Sequence, residues 1–241
     1  MKYPLLLPAG LLVTLIVGCT QDRFHYASPE RANSIRWTPH VSLTTFSDLE
    51  KLDQRLDRPV KTVNGIEQLS MSKEGQQVVV TTCKDYLRYK QDGYHPTTNY
   101  DIGAESWFKA EALPLLYLKE AIPARESFVK DFDVTDHPLR QLPAELQLHL
   151  EGGSQGTKVW QETQSNCQVV VKDRYSIEIS DDYCKTFVTI LAWGDFNKDG
   201  YEDILLNVSY DVTQGTFHCF DYVLLTRKAK DQPLIVIPDK S

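Results

Sequence analysis

The stretch Gly194–Tyr210, GDFNKDGYEDILLNVSY, joins an acidic loop to an apolar segment, and this apolar segment decides the fold class. Within it, Ile204, Leu206, Val208 and Tyr210 alternate with residues of mixed polarity. Because successive side chains of a strand point to opposite faces, the alternation predicts a β-strand with one apolar and one mixed face.

Segments of similar composition lie on both sides of this strand, from Val169 to the C-terminal end. They are rich in Val, Ile, Thr, Phe and Tyr, which favour strands. Their sequences are QVVV, YSIEI, KTFVTILAW, TFHCFDYVLL and PLIVI. The connections between them are too short for crossover helices, so we expect an antiparallel β-meander.

The first half of the chain has helical patterns. In SDLEKLDQRLDR, Ser47 and Glu50 have capping-box spacing, leucines recur on one face, and Pro59 lies beyond the end. The segment GAESWFKAEALPLLYLKEA predicts a longer helix that Pro114 bends or splits near Ala110. Its predicted buried residues are Trp107, Phe108, Leu115, Leu116 and Leu118.

Between these helices, QQVVVTTC predicts a buried strand, and CKDYLRYK after it is either a helical turn or a second strand. Helices before the sheet indicate the α+β class. We therefore predict a single α+β domain over 46–241, with a helical or mixed part at 46–150 and a β-rich part at 151–241.

The acidic loop has the side-chain spacing of a calcium site. Oxygen-bearing side chains stand at relative positions 1, 3, 5 and 9, with Gly200 at 6 for the sharp turn and the Tyr201 carbonyl at 7. These side chains belong to Asp195, Asn197, Asp199 and Asp203. Three carboxylates this close repel one another unless a cation lies among them. An acidic hairpin turn without an ion is the alternative.

An EF-hand is excluded, because Leu206 stands where a bidentate Glu is needed and strands flank the loop. The segment WGDFNKDGYEDILL instead resembles the calcium loop of FG-GAP or VCBS-type repeats. That resemblance implies a structural calcium ion that supports the sheet. Those repeats come in series as propeller blades, whereas this chain has one, so a propeller is not expected.

Residues 1–18 have the features of an export signal, since Lys2 precedes an apolar run that ends in IVGC. This resembles the lipobox of bacterial lipoproteins, which implies cleavage before Cys19, acylation of Cys19 and a tether over 19–45. Thr20, in place of aspartate, implies by the same resemblance the outer membrane, with the domain facing the periplasm. The alternative is an ordinary signal peptide with an incidental cysteine.

Composition limits the partners. The chain has 26 basic and 33 acidic residues, a net charge of −7, and it has no basic stripe for phosphates. Nucleic acid is therefore not expected as a partner, and a cationic partner surface is favoured.

The cysteines other than Cys19 are even in number, which in an exported protein predicts two disulfides. The candidates are Cys83, Cys167, Cys184 and Cys219. Of the three possible pairings we favour Cys167 with Cys184, because their separation fits a hairpin, which leaves Cys83 with Cys219. Buried thiols are the alternative.

Catalytic motifs are weak. GGSQG formally matches the G-x-S-x-G nucleophile elbow with Ser154, and His218 is the histidine that follows it. The elbow requires a buried parallel strand before it and a helix after it, and the surrounding sequence predicts neither. The histidines show no metal-binding spacing, so we expect a protein that is not an enzyme.

These features favour a non-catalytic, lipid-anchored binding protein. An acidic, disulfide-bearing lipoprotein of this size is similar to the immunity proteins that neutralise phospholipases delivered by type VI secretion. The resemblance implies a toxic lipase effector as the protein partner. An envelope-assembly factor, a glycan-binding lipoprotein and a serine hydrolase that uses Ser154 remain alternatives.

Overall fold

The computed structural model describes residues 35–41, 51–62, 65–147, 158–163, 166–213, 215 and 218–238. Its helices are α1 Leu52–Leu56, α2 Cys83–Gln91, α3 Asn99–Glu120, α4 Pro138–Gln141 and α5 Trp160–Thr163, with a 3-10 turn at Ala144–Leu146. Its strands are β1 Arg36–Trp37, β2 Lys61–Thr62, β3 Gly65–Ile66, β4 Leu69–Lys73, β5 Gln76–Val80, β6 His95–Pro96, β7 Gln168–Asp173, β8 Ser176–Ser180, β9 Cys184–Gly194, β10 Asp203–Val212, β11 His218–Thr226 and β12 Ile235–Ile237. These elements confirm the α+β class.

The C-terminal strands form one antiparallel sheet in the order β12-β11-β10-β9-β8-β7. Strand β1 joins it as a seventh strand by pairing with the end of β9. The predicted antiparallel meander is therefore confirmed. A smaller sheet, β5-β4-β6, and the β2-β3 hairpin come from the first half of the chain.

Strand β9 has a bulge opposite Leu205 and Leu206, where Leu191 is an extra residue. The backbone N–H of Thr38, just after β1, donates to the Leu191 carbonyl, and its hydroxyl donates to the Ile190 carbonyl, both at 2.8 Å. The bulge thus fixes the segment after β1 against the main sheet.

Apolar side chains pack against both faces of the main sheet. We call the two clusters the helix-side core and the loop-side core. The helix-side core contains Leu69, Met71, Val80, Phe108, Ala112, Leu115, Leu191, Ala192 and Leu205, among others. The loop-side core contains Val129, Leu142, Leu146, Trp160, Ile177, Val188, Ile204, Leu206 and Val208, among others. Both faces of the sheet are therefore covered, which buries the apolar side chains that β10 directs to each face.

Helix α3 begins with a capping box in which Thr98 and Asp101 each accept a backbone hydrogen bond from the other. The predicted burial of Phe108, Leu115 and Leu118 is confirmed. The prediction for Trp107 is wrong, because its side chain is 55% exposed. Neighbours in a helix point about 100° apart, so Trp107 is directed away from the core that Phe108 faces. Leu116 is only partly buried.

Pro114 lies inside α3 without dividing it, so the prediction of a split is wrong. A proline lacks the N–H that would bond the carbonyl four residues earlier, here that of Ala110. The hydroxyl of Tyr222, on β11, donates to this Ala110 carbonyl at 3.1 Å. The hydrogen bond that the proline removes is replaced by one that docks the helix on the sheet.

The remaining local predictions are mostly confirmed. QQVVV forms β5, but the prediction that this strand is buried is wrong: only Val80 is buried and Val79 is 63% exposed, because neighbouring residues of a strand point to opposite faces. CKDYLRYK forms most of α2, so this segment is a helix and not a second strand. Of the first predicted helix, α1 is described, while Ser47 and Glu50 lie outside the described residues.

Candidate metal site

The predicted calcium loop connects β9 to β10. Its backbone turns through two residues with positive φ, Lys198 at 66° and Gly200 at 95°. Phe196 points into the helix-side core and meets the Tyr117 ring edge-on at 6.2 Å. A buried aromatic side chain therefore anchors a loop that is otherwise polar.

The segment after helix α3 holds this loop by backbone hydrogen bonds. Ile122 and Asp195 exchange bonds of 3.1 and 2.9 Å, and the Gly200 carbonyl accepts from the N–H groups of Arg125 and Glu126 at 2.8 and 3.1 Å. A Cβ at position 200 would overlap the Arg125 guanidinium. Glycine is favoured here by its positive φ, whereas the Arg125 guanidinium ends a flexible side chain that can move aside.

The side chains of the loop accept hydrogen bonds from backbone N–H groups, which point inward because the loop is tightly curved. Asp195 accepts from Asp199 and Gly200 at 3.1 and 2.8 Å, and the Asn197 side chain accepts from Asp199 at 2.9 Å. Asp199 Oδ1 accepts from the Tyr201 N–H at 3.0 Å. The structure therefore places Asp195, Asn197, Asp199 and the backbone of Tyr201 in one hydrogen-bonded turn.

Asp203 is the fifth predicted residue and is fully buried. Its Oδ2 accepts from the N–H groups of Phe196 and Asn197 at 3.0 and 3.4 Å. Its Oδ1 has no hydrogen-bond partner among the described residues. Burial raises the pKa of Asp203 to about 6, although the nearby Thr226 hydroxyl and the two N–H groups lower it. A buried carboxylate oxygen without a partner is rare and calls for an explanation.

Lys228 supplies a positive charge beside the loop. Its Nζ lies 2.8 Å from Asp199 Oδ2 and 5.7 Å from the centre of the Tyr201 ring. Burial favours a higher pKa for Asp199, but the hydrogen bond and charge of Lys228 and the Tyr201 N–H outweigh it, so the pKa is lowered. The repulsion among the carboxylates is thus partly offset by the protein itself.

Glu202 has a role that the sequence did not reveal. Its buried carboxylate accepts from Arg36 at 3.0 Å and from the Ser127 hydroxyl at 2.6 Å. The Arg36 guanidinium also lies over the Trp193 ring at 4.8 Å. Glu202 therefore ties the loop to β1 and to the segment after α3. No sequence signal pointed to this contact, because Arg36 is 166 residues away.

The chemistry of these groups fits a hard cation. Carboxylate, amide and carbonyl oxygens are the ligands that Ca²⁺ prefers, and the unpartnered Asp203 Oδ1 is such an oxygen. Within the described part of the chain, no three His, Cys, Asp or Glu side chains converge as a metal site. The predicted set contains three such side chains, those of Asp195, Asp199 and Asp203, so they do not converge here, and Asp199 is turned towards Lys228.

All four cysteines of the domain are thiols in this structure. Burial raises the pKa of the Cys83 thiol to about 12 and also raises the pKa of Cys167, Cys184 and Cys219. Cys83 lies in the helix-side core, and the other three lie in or against the loop-side core.

The two favoured disulfides are not formed here. Cys167 precedes β7 and Cys184 begins β9, so β8 lies between them. A disulfide needs Cα atoms within about 6.8 Å, and strands two apart are separated by roughly 9.5 Å. Cys83 and Cys219 lie in different cores. The Cys167–Cys184 and Cys83–Cys219 disulfides stay predictions that this structure does not support.

Most of the remaining predicted functional residues lie outside the described part of the chain. Cys19, the signal segment 1–18 and Ser154 lie outside the described residues. His218 is largely exposed and its Nδ1 contacts Asp211, its cross-strand neighbour. Among the described helices, none is long and apolar enough to cross a membrane. Comparison with protein families, with curated proteins and with solved structures finds no match for this chain.

Proposed function

We propose that the loop between β9 and β10 binds one calcium ion that stabilises the sheet. The ligands would be the side chains of Asp195, Asn197, Asp199 and Asp203 and the carbonyl of Tyr201. The observation that carries this proposal is the fully buried Asp203, whose Oδ1 has no partner. A bound cation would supply that partner and offset the repulsion among the carboxylates.

The test is calcium titration by calorimetry together with thermal denaturation in calcium and in excess chelator. At a calcium concentration about 100 times Kd, the ion adds about 2.7 kcal/mol of stability, which raises Tm. Asp203→Asn should weaken binding at least about tenfold, since it removes a charged ligand. Asp182→Asn is the control, because Asp182 is exposed and precedes β9 at the opposite end of that strand from the loop. Identical melting in calcium and in chelator would refute the proposal.

For the whole protein, we propose a lipid-anchored, non-catalytic binding protein of the periplasm. The lipobox at Cys19 supports the anchor, which would hold the domain on the periplasmic face of the outer membrane. Incorporation of labelled palmitate in cells tests it, with Cys19→Ser as the control variant. No incorporation into the wild-type chain would remove the anchor from the proposal.

The partner that we propose is a toxic phospholipase delivered by type VI secretion, which this protein neutralises. Its net charge of −7 supports the proposal, because enzymes that handle phospholipid headgroups need cationic sites that an acidic inhibitor can cover. Co-expression with a lipase effector encoded next to this chain should restore growth when the effector is directed to the periplasm. Unrelieved toxicity, or a neighbourhood of envelope-biogenesis genes, would favour an envelope-assembly or glycan-binding lipoprotein.

The second candidate is a serine hydrolase that uses Ser154. It is favoured by one observation, the contact between His218 and Asp211, which is the base-and-orienter pair that such enzymes need. The exposed fraction is 59% for the His218 side chain and 48% for the Asp211 side chain. Turnover of an activated ester that Ser154→Ala abolishes would establish this function in place of the first.

A further inference from the structure

Two buried oxygen atoms face one another across the strands next to the loop. Asp203 begins β10 and Thr226 ends β11, and the two residues are paired in the sheet register. Side chains of directly paired residues lie on the same face of a sheet and close together. Both side chains are enclosed, since Asp203 is fully buried and Thr226 is 1% exposed.

Neither atom makes a hydrogen bond of normal geometry among the described residues. Asp203 Oδ1 and Thr226 Oγ1 are both buried, and the Thr226 hydroxyl lies close enough to Asp203 to lower the pKa of its carboxyl. One unpartnered buried oxygen lowers the stability of the folded state by about 1–3 kcal/mol, so two neighbouring ones lower it further. A single ligand between them would satisfy both at once.

The charge at this place favours a cation as that ligand. The carboxylates of Asp195, Asp199 and Asp203 are all in the loop, and the one ion pair that they make among the described residues is Asp199 with Lys228. An anion would be repelled by these carboxylates, and a neutral water molecule would not reduce the repulsion among them. Hydroxyl oxygen is a hard ligand of the kind that Ca²⁺ accepts alongside carboxylates.

We propose that Thr226 Oγ1 is a further ligand of the calcium ion, shared with Asp203 Oδ1. This inference rests on the proposed calcium site and adds a residue from outside the loop to it. Its consequence is that the ion joins β10 to β11, two adjacent strands, as well as closing the loop between β9 and β10.

Two substitutions at Thr226 test the proposal by calorimetric calcium titration. Thr226→Val has nearly the same shape without the hydroxyl, and it should raise the Kd for calcium about tenfold, or 1.4 kcal/mol. Thr226→Ser keeps the hydroxyl and should bind calcium within about threefold of the wild-type protein.

Thermal denaturation in excess chelator separates a ligand from a merely structural residue. Without calcium, Thr226→Val removes an unpartnered buried hydroxyl, so its Tm should equal or exceed that of the wild-type protein. A fall in Tm in chelator that accompanies the loss of affinity would mean a structural role and overturn the inference.

The outcomes distinguish a failure of the role of Thr226 from a failure of the proposed calcium site on which it rests. If the wild-type chain binds no calcium, the metal site itself fails. If the wild-type chain binds calcium and Thr226→Val binds it equally well, the two oxygens are satisfied without the ion, by a water molecule or by the Thr226 hydroxyl donating to Asp203. In that case only the role of Thr226 is refuted.

Discussion

At the scale of single residues, Asp203 differs from the other carboxylates of the loop. Asp195 and Asp199 are satisfied by backbone N–H groups and by Lys228, whereas Asp203 Oδ1 has no partner and lies in the interior. Burial penalises its charged form, which is why its pKa is raised to about 6. Folding of the calcium-free protein is therefore linked to pH through this residue.

In chelator, we expect stability to decrease as pH rises from about 4 towards about 7. The pKa of Asp203 is about 6 in the folded chain against 3.8 ordinarily, so the folded state holds the proton more tightly. That contribution is complete below about 4 and is lost as pH rises through about 6. The measurement is the Tm difference between the wild-type protein and Asp203→Asn, which cannot titrate there. A difference that is independent of pH would contradict the prediction.

The loop residues could be predicted from the sequence because a tight loop is a local structure. Positions 195 to 203 are close in the chain, and their spacing alone indicates which side chains turn inward. Glu202 and Thr226 could not be predicted in this way. Their roles depend on Arg36 and on the register of β11 against β10, which the spacing of residues within the loop does not specify.

At the scale of elements, helix α3 and strand β11 share the hydrogen bond between Ala110 and Tyr222. The helix could be predicted from composition, and a bend or split near Ala110 caused by Pro114 was a reasonable expectation for an isolated helix. The helix is not split, and a tyrosine from the sheet supplies the donor that the proline lacks. The error at Trp107 has a different cause, since helical composition does not specify which side of the helix meets the sheet.

A double-mutant cycle tests this replacement. Tyr222→Phe should cost about 1 kcal/mol of unfolding free energy in the wild-type chain, because the Ala110 carbonyl loses its donor. In a Pro114→Ala background, the backbone N–H of residue 114 can bond to the same carbonyl, so Tyr222→Phe should cost only a few tenths of a kcal/mol. Urea denaturation measures both values.

Tyr183→Phe is the matched control, since Tyr183 is 74% exposed and its hydroxyl should contribute little in either background. Equal costs of Tyr222→Phe in the two backgrounds would show that the hydroxyl does not replace the proline's missing bond.

At the scale of the whole molecule, the loop between β9 and β10 is where distant parts of the chain meet. Strand β1 reaches it through Arg36, and the segment after α3 reaches it through Ser127 and several backbone bonds. The Glu202 carboxylate is the common acceptor. The loop therefore connects the beginning of the described chain to its C-terminal sheet.

Arg36→Met should lower the free energy of unfolding by about 2 kcal/mol. Glu202 is only 4% exposed and would keep a buried charge with Ser127 as its remaining side-chain donor. The value is below that of a fully buried pair because Arg36 is 33% exposed. Adding Glu202→Gln removes the unpaired charge, so the double variant should recover most of the loss in urea denaturation. A double variant less stable than Arg36→Met would contradict this explanation.

The main sheet is packed on both faces, and this has a consequence for how the protein can change over evolution. In the part of the chain that the structure describes, both faces of the central strands β9 and β10 are largely covered, so recognition there would use turns, strand edges and the outer side of α3. Substitutions at those positions leave the two cores intact. Specificity for a new partner can therefore arise without loss of the scaffold, and chains that share this architecture should differ most in these surface segments.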